Sequence, residues 1–131
     1  MRRAVIAALG TLSLLAAGTV RADGKYVQPQ NLTAEDRAAI SATVQDYSQC
    51  LQREAATILT KYDDSRRIAD IAMQKCHGTL AKVNKAMNDR NIDPGFVKGY
   101  VTMSRNRAAN NMLQQVMMYK ATHAAGGTTA Q

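Results

Sequence analysis

Apolar residues recur at helical intervals along three long stretches of this chain. Ile40, Val44, Tyr47, Leu51, Ile58 and Tyr62 follow one another at spacings of three, four or seven, which puts them on one stripe of a helix. Thr33 before Ala34-Glu35-Asp36 supplies an N-cap and an acidic first turn, so helix 1 is expected over 33–61. Asp63-Asp64-Ser65 interrupts the stripe with good capping residues. Ala69, Ala72, Cys76, Leu80, Val83 and Met87 then resume it, giving helix 2 over 65–90. Gly78 lies inside that helix and weakens it by about 1 kcal/mol relative to Ala.

Asn91 to Gly95 forms the clearest break, with Asp93 as N-cap and Pro94 at the first helical position. Helix 3 is expected from 94 to about 124, with Phe96, Val97, Tyr100, Val101, Met112, Val116 and Tyr119 as its apolar positions. Its centre, Ser104 to Asn111, is polar and thins the stripe. There is no strand pattern and no internal repeat. These patterns predict an all-α fold, a small three-helix bundle whose first two helices form an antiparallel hairpin. Three such helices enclose a thin core, which a homodimer would complete.

The ends of the chain follow other rules. Arg2 and Arg3, the uncharged run Ala4 to Ala17, and Val20-Arg21-Ala22 occur in the order of a cleavable signal peptide. Residues 1–22 are expected to be removed, with cleavage after Ala17 as the second choice. The apolar run is shorter than the roughly 20 residues that span a bilayer, and no later segment is apolar enough to do so. Residues 23–32 read as an extended leader, 33–125 as the helical domain and 126–131 as a disordered tail. A periplasmic or secreted location is expected.

Loss of Arg2, Arg3 and Arg21 would leave 14 basic against 10 acidic residues, a net charge of +4. The distribution is uneven. Asp23 to Asp64 holds four basic and seven acidic residues, whereas Ser65 to Gln131 holds ten basic and three acidic. With one Phe, five Tyr and no Trp, the core must be built from aliphatic and Met side chains.

Cys50 and Cys76 are the only cysteines, and in an exported chain two cysteines pair. If the chain reverses at Asp63, each lies 13 residues from the turn. Antiparallel helices rising 1.5 Å per residue would bring both to the same height, roughly 20 Å from it. A redox pair would show Cys-x-x-Cys instead. The spacing therefore predicts a structural Cys50–Cys76 disulfide.

Little else suggests chemistry. Cys76-His77 lacks the first Cys of a c-type haem site. None of Ser41, Ser48, Ser65 and Ser104 sits in a Gly-x-Ser-x-Gly turn, and no glycine-rich phosphate loop occurs. No catalytic residue and no cofactor is expected. His77, His123, Met117 and Met118 are the residues a copper-type metal site would use, but no Met-x-Met or His-x-x-His cluster accompanies them, so a metal-binding protein is the alternative reading.

The basic half offers more. Lys75, Lys82 and Lys85 recur on helix 2, Arg66, Arg67 and Arg90 extend the charge to its ends, and Lys98, Arg105 and Arg107 add to it. Such a surface suits an anionic envelope component or an acidic client protein. Nucleic acid is not expected, because the cations lack interleaved aromatics. Asn31-Leu32-Thr33 followed by Ala34-Glu35-Asp36 resembles the Leu-Thr helix starts of small ATP-independent periplasmic chaperones. The match spans only these residues, a second such motif is missing, and the disulfide departs from that pattern. The resemblance implies a chaperone-like binding role, and the expected function is that of a non-enzymatic periplasmic binding or interaction protein.

Overall fold

The computed structural model describes residues 24–126, with side chains described as far as Ala124. The expected signal peptide (1–22) and residues 127–131 of the expected tail lie outside the described residues. Among the described residues four α-helices follow a short 3-10 turn at Pro29–Asn31: α1 (Ala34–Ile58), α2 (Ser65–Lys75), α3 (His77–Asn88) and α4 (Pro94–Gly126).

Helix starts follow the capping chemistry of the sequence. Thr33 Oγ1 accepts from the Asp36 amide at 3.0 Å, and an Asp64 carboxylate oxygen accepts from the Arg66 amide at 2.8 Å. Asp93, just before Pro94, does the same for the Phe96 amide at 2.9 Å. The expected second helix, however, is two helices. At Cys76 the backbone takes φ −91° and ψ 8°, the sparsely populated bridge region. The Cys76 carbonyl accepts from both Thr79 and Leu80, at 3.0 and 3.1 Å, so the turn tightens while the chain keeps its course. The helix yields where its side chain is tied across the seam and where Gly78 offers the least helical preference.

The tie is the disulfide. Cys50 and Cys76 are bonded, with Cα atoms 5.9 Å apart. Two further polar links cross the same seam, Asp36 to Arg90 and Glu54 to Lys75. All three pairs are centred within two residues of Asp63, which makes α1 and the α2–α3 arm an antiparallel hairpin in one register. α4 lies along both. Lys120 near its end donates to the Tyr62 carbonyl at 2.7 Å, and Val97 near its start packs with Ile40, Met87 and Ile92. It therefore runs parallel to α1 and antiparallel to the α2–α3 arm.

Most of the core forms one cluster around Tyr47, Leu51, Ile58, Ile68, Ala72, Cys76, Val83, Met112 and Val116. The polar centre of α4 turns out to fit it well. Ser104 and Ala108 are buried in the gap between Val97 and Met112, and their small side chains let α4 approach the hairpin closely. Phe96 and Tyr119, expected on the inward stripe, are 41% and 37% exposed.

The leader is not free. Val27 forms an isolated parallel bridge with Ile92, and its amide donates to the Asn91 carbonyl at 2.8 Å. Asn91 Nδ2 donates to the Lys25 carbonyl at 2.8 Å. Asn91 has φ 52°, a left-handed conformation that Asn tolerates better than most residues. One residue thus turns the chain from α3 into α4 and anchors the leader.

Two outcomes follow for stability. Reducing the Cys50–Cys76 bond is expected to lower the unfolding free energy by about 3 kcal/mol in a urea titration. Asn91→Ala is expected to lose about 1 kcal/mol and Asn91→Gly much less, while both expose the Lys25 bond to trypsin in limited proteolysis.

Candidate functional site

Half of the six cations named on the α2–α3 arm are engaged in ion pairs. Lys75 Nζ lies 2.9 Å from Glu54, Lys85 Nζ 2.6 Å from Asp89 and Arg90 Nε 2.7 Å from Asp36. The Arg67 guanidinium stands 4.8 Å over the Tyr62 ring. Lys82 and the Arg66 side chain have no ion-pair partner among the described residues. Since Lys75 and Lys85 are half or more exposed, their pairs add little stability, but they neutralise charge where the spacing suggested a continuous basic stripe.

Asp36 holds its place through two groups. The Thr33 hydroxyl donates to it at 2.8 Å and Arg90 Nε donates at 2.7 Å. The Thr33 bond first and Arg90 second hold its carboxyl below the ordinary value of 3.8. This contribution to stability is present above that ordinary value and is lost as pH falls through the lower folded one.

Unpaired cations gather elsewhere, along the seam where α4 meets the α2–α3 arm. A cleft of about 510 Å³ there is lined by Asn84 and Asn88 from α3 and by Val97, Lys98, Val101 and Thr102 from α4. His77 and Leu80 border both this cleft and a neighbouring one of about 470 Å³. The second is lined by Tyr47, Asp70, Gln74 and Arg105. The two form one trough with Lys98 and Arg105 along its α4 wall, one helical heptad apart. Among the described residues that line it, Asp70 is the one carboxylate.

Tyr47 closes the floor. Its side chain is 1% exposed, yet its hydroxyl bonds to no protein group among the described residues. Among the described residues no side-chain oxygen or nitrogen is both sealed from solvent and unpartnered, so the hydroxyl keeps access to the cleft that Tyr47 lines. Burial pushes its pKa up, and the nearby Arg105 charge opposes that shift. A hydroxyl held this way beside an Arg, with amide side chains and His77 along the walls, is an array of donors for an anionic or carbonyl-bearing ligand.

Of the residues named for a metal site, His77 borders the trough, while His123 is turned onto its own helix. The His123 ring stacks on Tyr119 at 3.8 Å, with Nδ1 2.8 Å from the Tyr119 carbonyl oxygen. Met117 and Met118 are exposed on α4. These four do not converge, and among the described residues no three His, Cys, Asp or Glu side chains gather at one point. Ser104 is part of the core.

Lys98 and Arg105 were visible in the sequence as additions to the basic surface. Tyr47 was legible only as a core residue, because its spacing reports which face it occupies and not where its hydroxyl ends.

No protein-family model matches the chain, and neither a curated protein nor a solved structure matches it. Leu32-Thr33 leads into a well-capped first turn of α1, with the Thr33 side chain accepting from the Asp36 amide.

Acid titration checks the first pair of contacts. Stability is expected to fall as pH drops below 4, and Asp36→Asn to flatten that fall, read by thermal melts across pH. At the floor of the trough, Tyr47→Phe is expected to leave stability within about 0.5 kcal/mol, because it removes no protein hydrogen bond.

Proposed function

We propose that the protein is a non-enzymatic binding protein of an oxidising, exported compartment such as the periplasm, and that the trough between α4 and the α2–α3 arm holds an extended acidic segment of a client polypeptide. The observation that carries this reading is the pairing of Lys98 and Arg105, both without an ion-pair partner among the described residues, along a trough floored by the unpartnered Tyr47 hydroxyl. Asn84, Asn88 and Gln74 line it with side-chain amides able to bond a peptide backbone, Asn88 already donating to Asn84 at 3.1 Å. Leu80, Val97 and Val101 supply apolar contact between the charges. The disulfide supports an oxidising location, and no helix among the described residues is long and apolar enough to cross a membrane.

A fluorescein-labelled peptide rich in Glu and Leu tests this by anisotropy. Binding is expected to saturate and to weaken with added salt. Lys98→Glu with Arg105→Glu is expected to weaken it by roughly tenfold or more, and Tyr47→Phe to weaken it less. Lys75→Glu with Lys85→Glu serves as the contrast, since those cations already have partners. Peptide binding unchanged by the Lys98 and Arg105 reversals would falsify the assignment of the trough. Tight binding of purified lipopolysaccharide without peptide binding would replace the client by an envelope polyanion.

A further inference from the structure

The opposite side of α4 carries a second, unrelated pattern. All five large apolar side chains that stand exposed among the described residues, Phe96, Met103, Met117, Met118 and Tyr119, belong to this one helix. Three of them fall on a strict repeat: Phe96, Met103, Asn110, Met117 and Ala124 recur every seven residues, the period of a helix that packs along another helix. From Met103 onward the seam faces away from the core, whose α4 contacts are Val97, Ser104, Ala108, Met112 and Val116, while Phe96 at its start stacks on Tyr100 and borders a cleft with Ile40 and Met87. A shallow groove follows it past Gly95, Gly99, Met103, Asn106 and Asn110.

The pattern is also symmetric about Asn110. Met103 and Met117 lie seven residues either side of it, Asn106 and Gln114 four, Gly99 and Ala121 eleven. Residues of matching character at equal distances from one centre are what a two-fold interface requires, because each residue on one copy must suit its mirror position on the other.

We infer that α4 pairs with the α4 of a second copy of this chain, antiparallel, with the two-fold axis at Asn110. Met103 then meets the other copy's Met117, Asn110 meets its own counterpart, and Gly99 meets Ala121 where small residues let the backbones approach. A buried Asn at one seam position also selects a single register. Charge favours this direction over the parallel one. α4 carries Lys98, Arg105, Arg107 and Lys120 and no Asp or Glu. Antiparallel pairing sets these level with Thr122, Gln115, Leu113 and Tyr100, all uncharged, whereas parallel pairing would lay Arg107 against Arg107. The size is adequate too. Phe96, Met103 and Met117 are 41%, 56% and 57% exposed, and with the intervening Asn, Gln and Gly positions they line a helix about 50 Å long, an extent suited to the roughly 800 Å² per partner of a standard interface. The seam groove shares Lys98 and Thr102 with the trough, so the two surfaces adjoin, and the dimer is tested at positions outside the trough.

Sedimentation of the purified, oxidised protein is the test. The wild type is expected to be a dimer at a chain concentration of about 100 µM. Gly99→Leu meets open space within the single chain, so it is expected to keep its helical circular dichroism while weakening the dimer at least tenfold. Asn110→Cys is expected to cross-link to itself, and Met103→Cys to cross-link to Met117→Cys but not to another Met103→Cys chain. A monomeric wild type overturns the proposal and leaves the face to a partner of different sequence. Self-linkage of Met103→Cys overturns it in favour of a parallel pair.

Discussion

The register of α1 against the α2–α3 arm governs the rest of this molecule, and the Cys50–Cys76 bond holds it covalently. A slide of one helical turn along that seam would separate Asp36 from Arg90 and Glu54 from Lys75. It would also pull Tyr47 and Leu51 out of the cluster they share with Ile68, Ala72 and Val83. Hydrophobic burial is non-directional and tolerates such slides better than a covalent tie does. For a domain of this size, whose core has no Trp and holds one fully buried Tyr, a constraint on the unfolded chain supplies a large share of the net stability.

With the hairpin set, α4 has little freedom. One end is seated by Val97 in the small cluster of Ile40, Met87 and Ile92, the other by Lys120 at the α1–α2 turn. Between them the helix comes close because Ser104 and Ala108 are small. That closeness leaves longer polar side chains on its flanks to form the wall of the trough, and leaves Met103, Met117 and Met118 more than half exposed among the described residues. Core, trough and outer seam are three faces of one helix, separated by its 3.6-residue period.

Asn91 shows how a single residue can join distant parts of a fold. Its left-handed backbone turns α3 into α4, while its side chain and carbonyl hold the leader at Lys25 and Val27. The leader covers Ile92, which is 1% exposed, so a segment that reads as an extended approach to the first helix is part of the closing of the core.

What the sequence determined by itself was local or periodic. Helix positions followed from apolar spacing and from Thr33, Asp64 and Asp93 as caps, and the disulfide from two cysteines equidistant from a turn. Those signals are carried by neighbours along the chain or by a simple reflection of it, so they need no three-dimensional information. Only the tertiary structure decided that helix 2 breaks at Cys76, that Ser104 and Ala108 are core while Phe96 is not, and that Lys75 and Lys85 face carboxylates whereas Lys98 and Arg105 face a trough. Each of these depends on what stands opposite a side chain on another helix, a relation between residues far apart in sequence that no pattern along one strand of text can express.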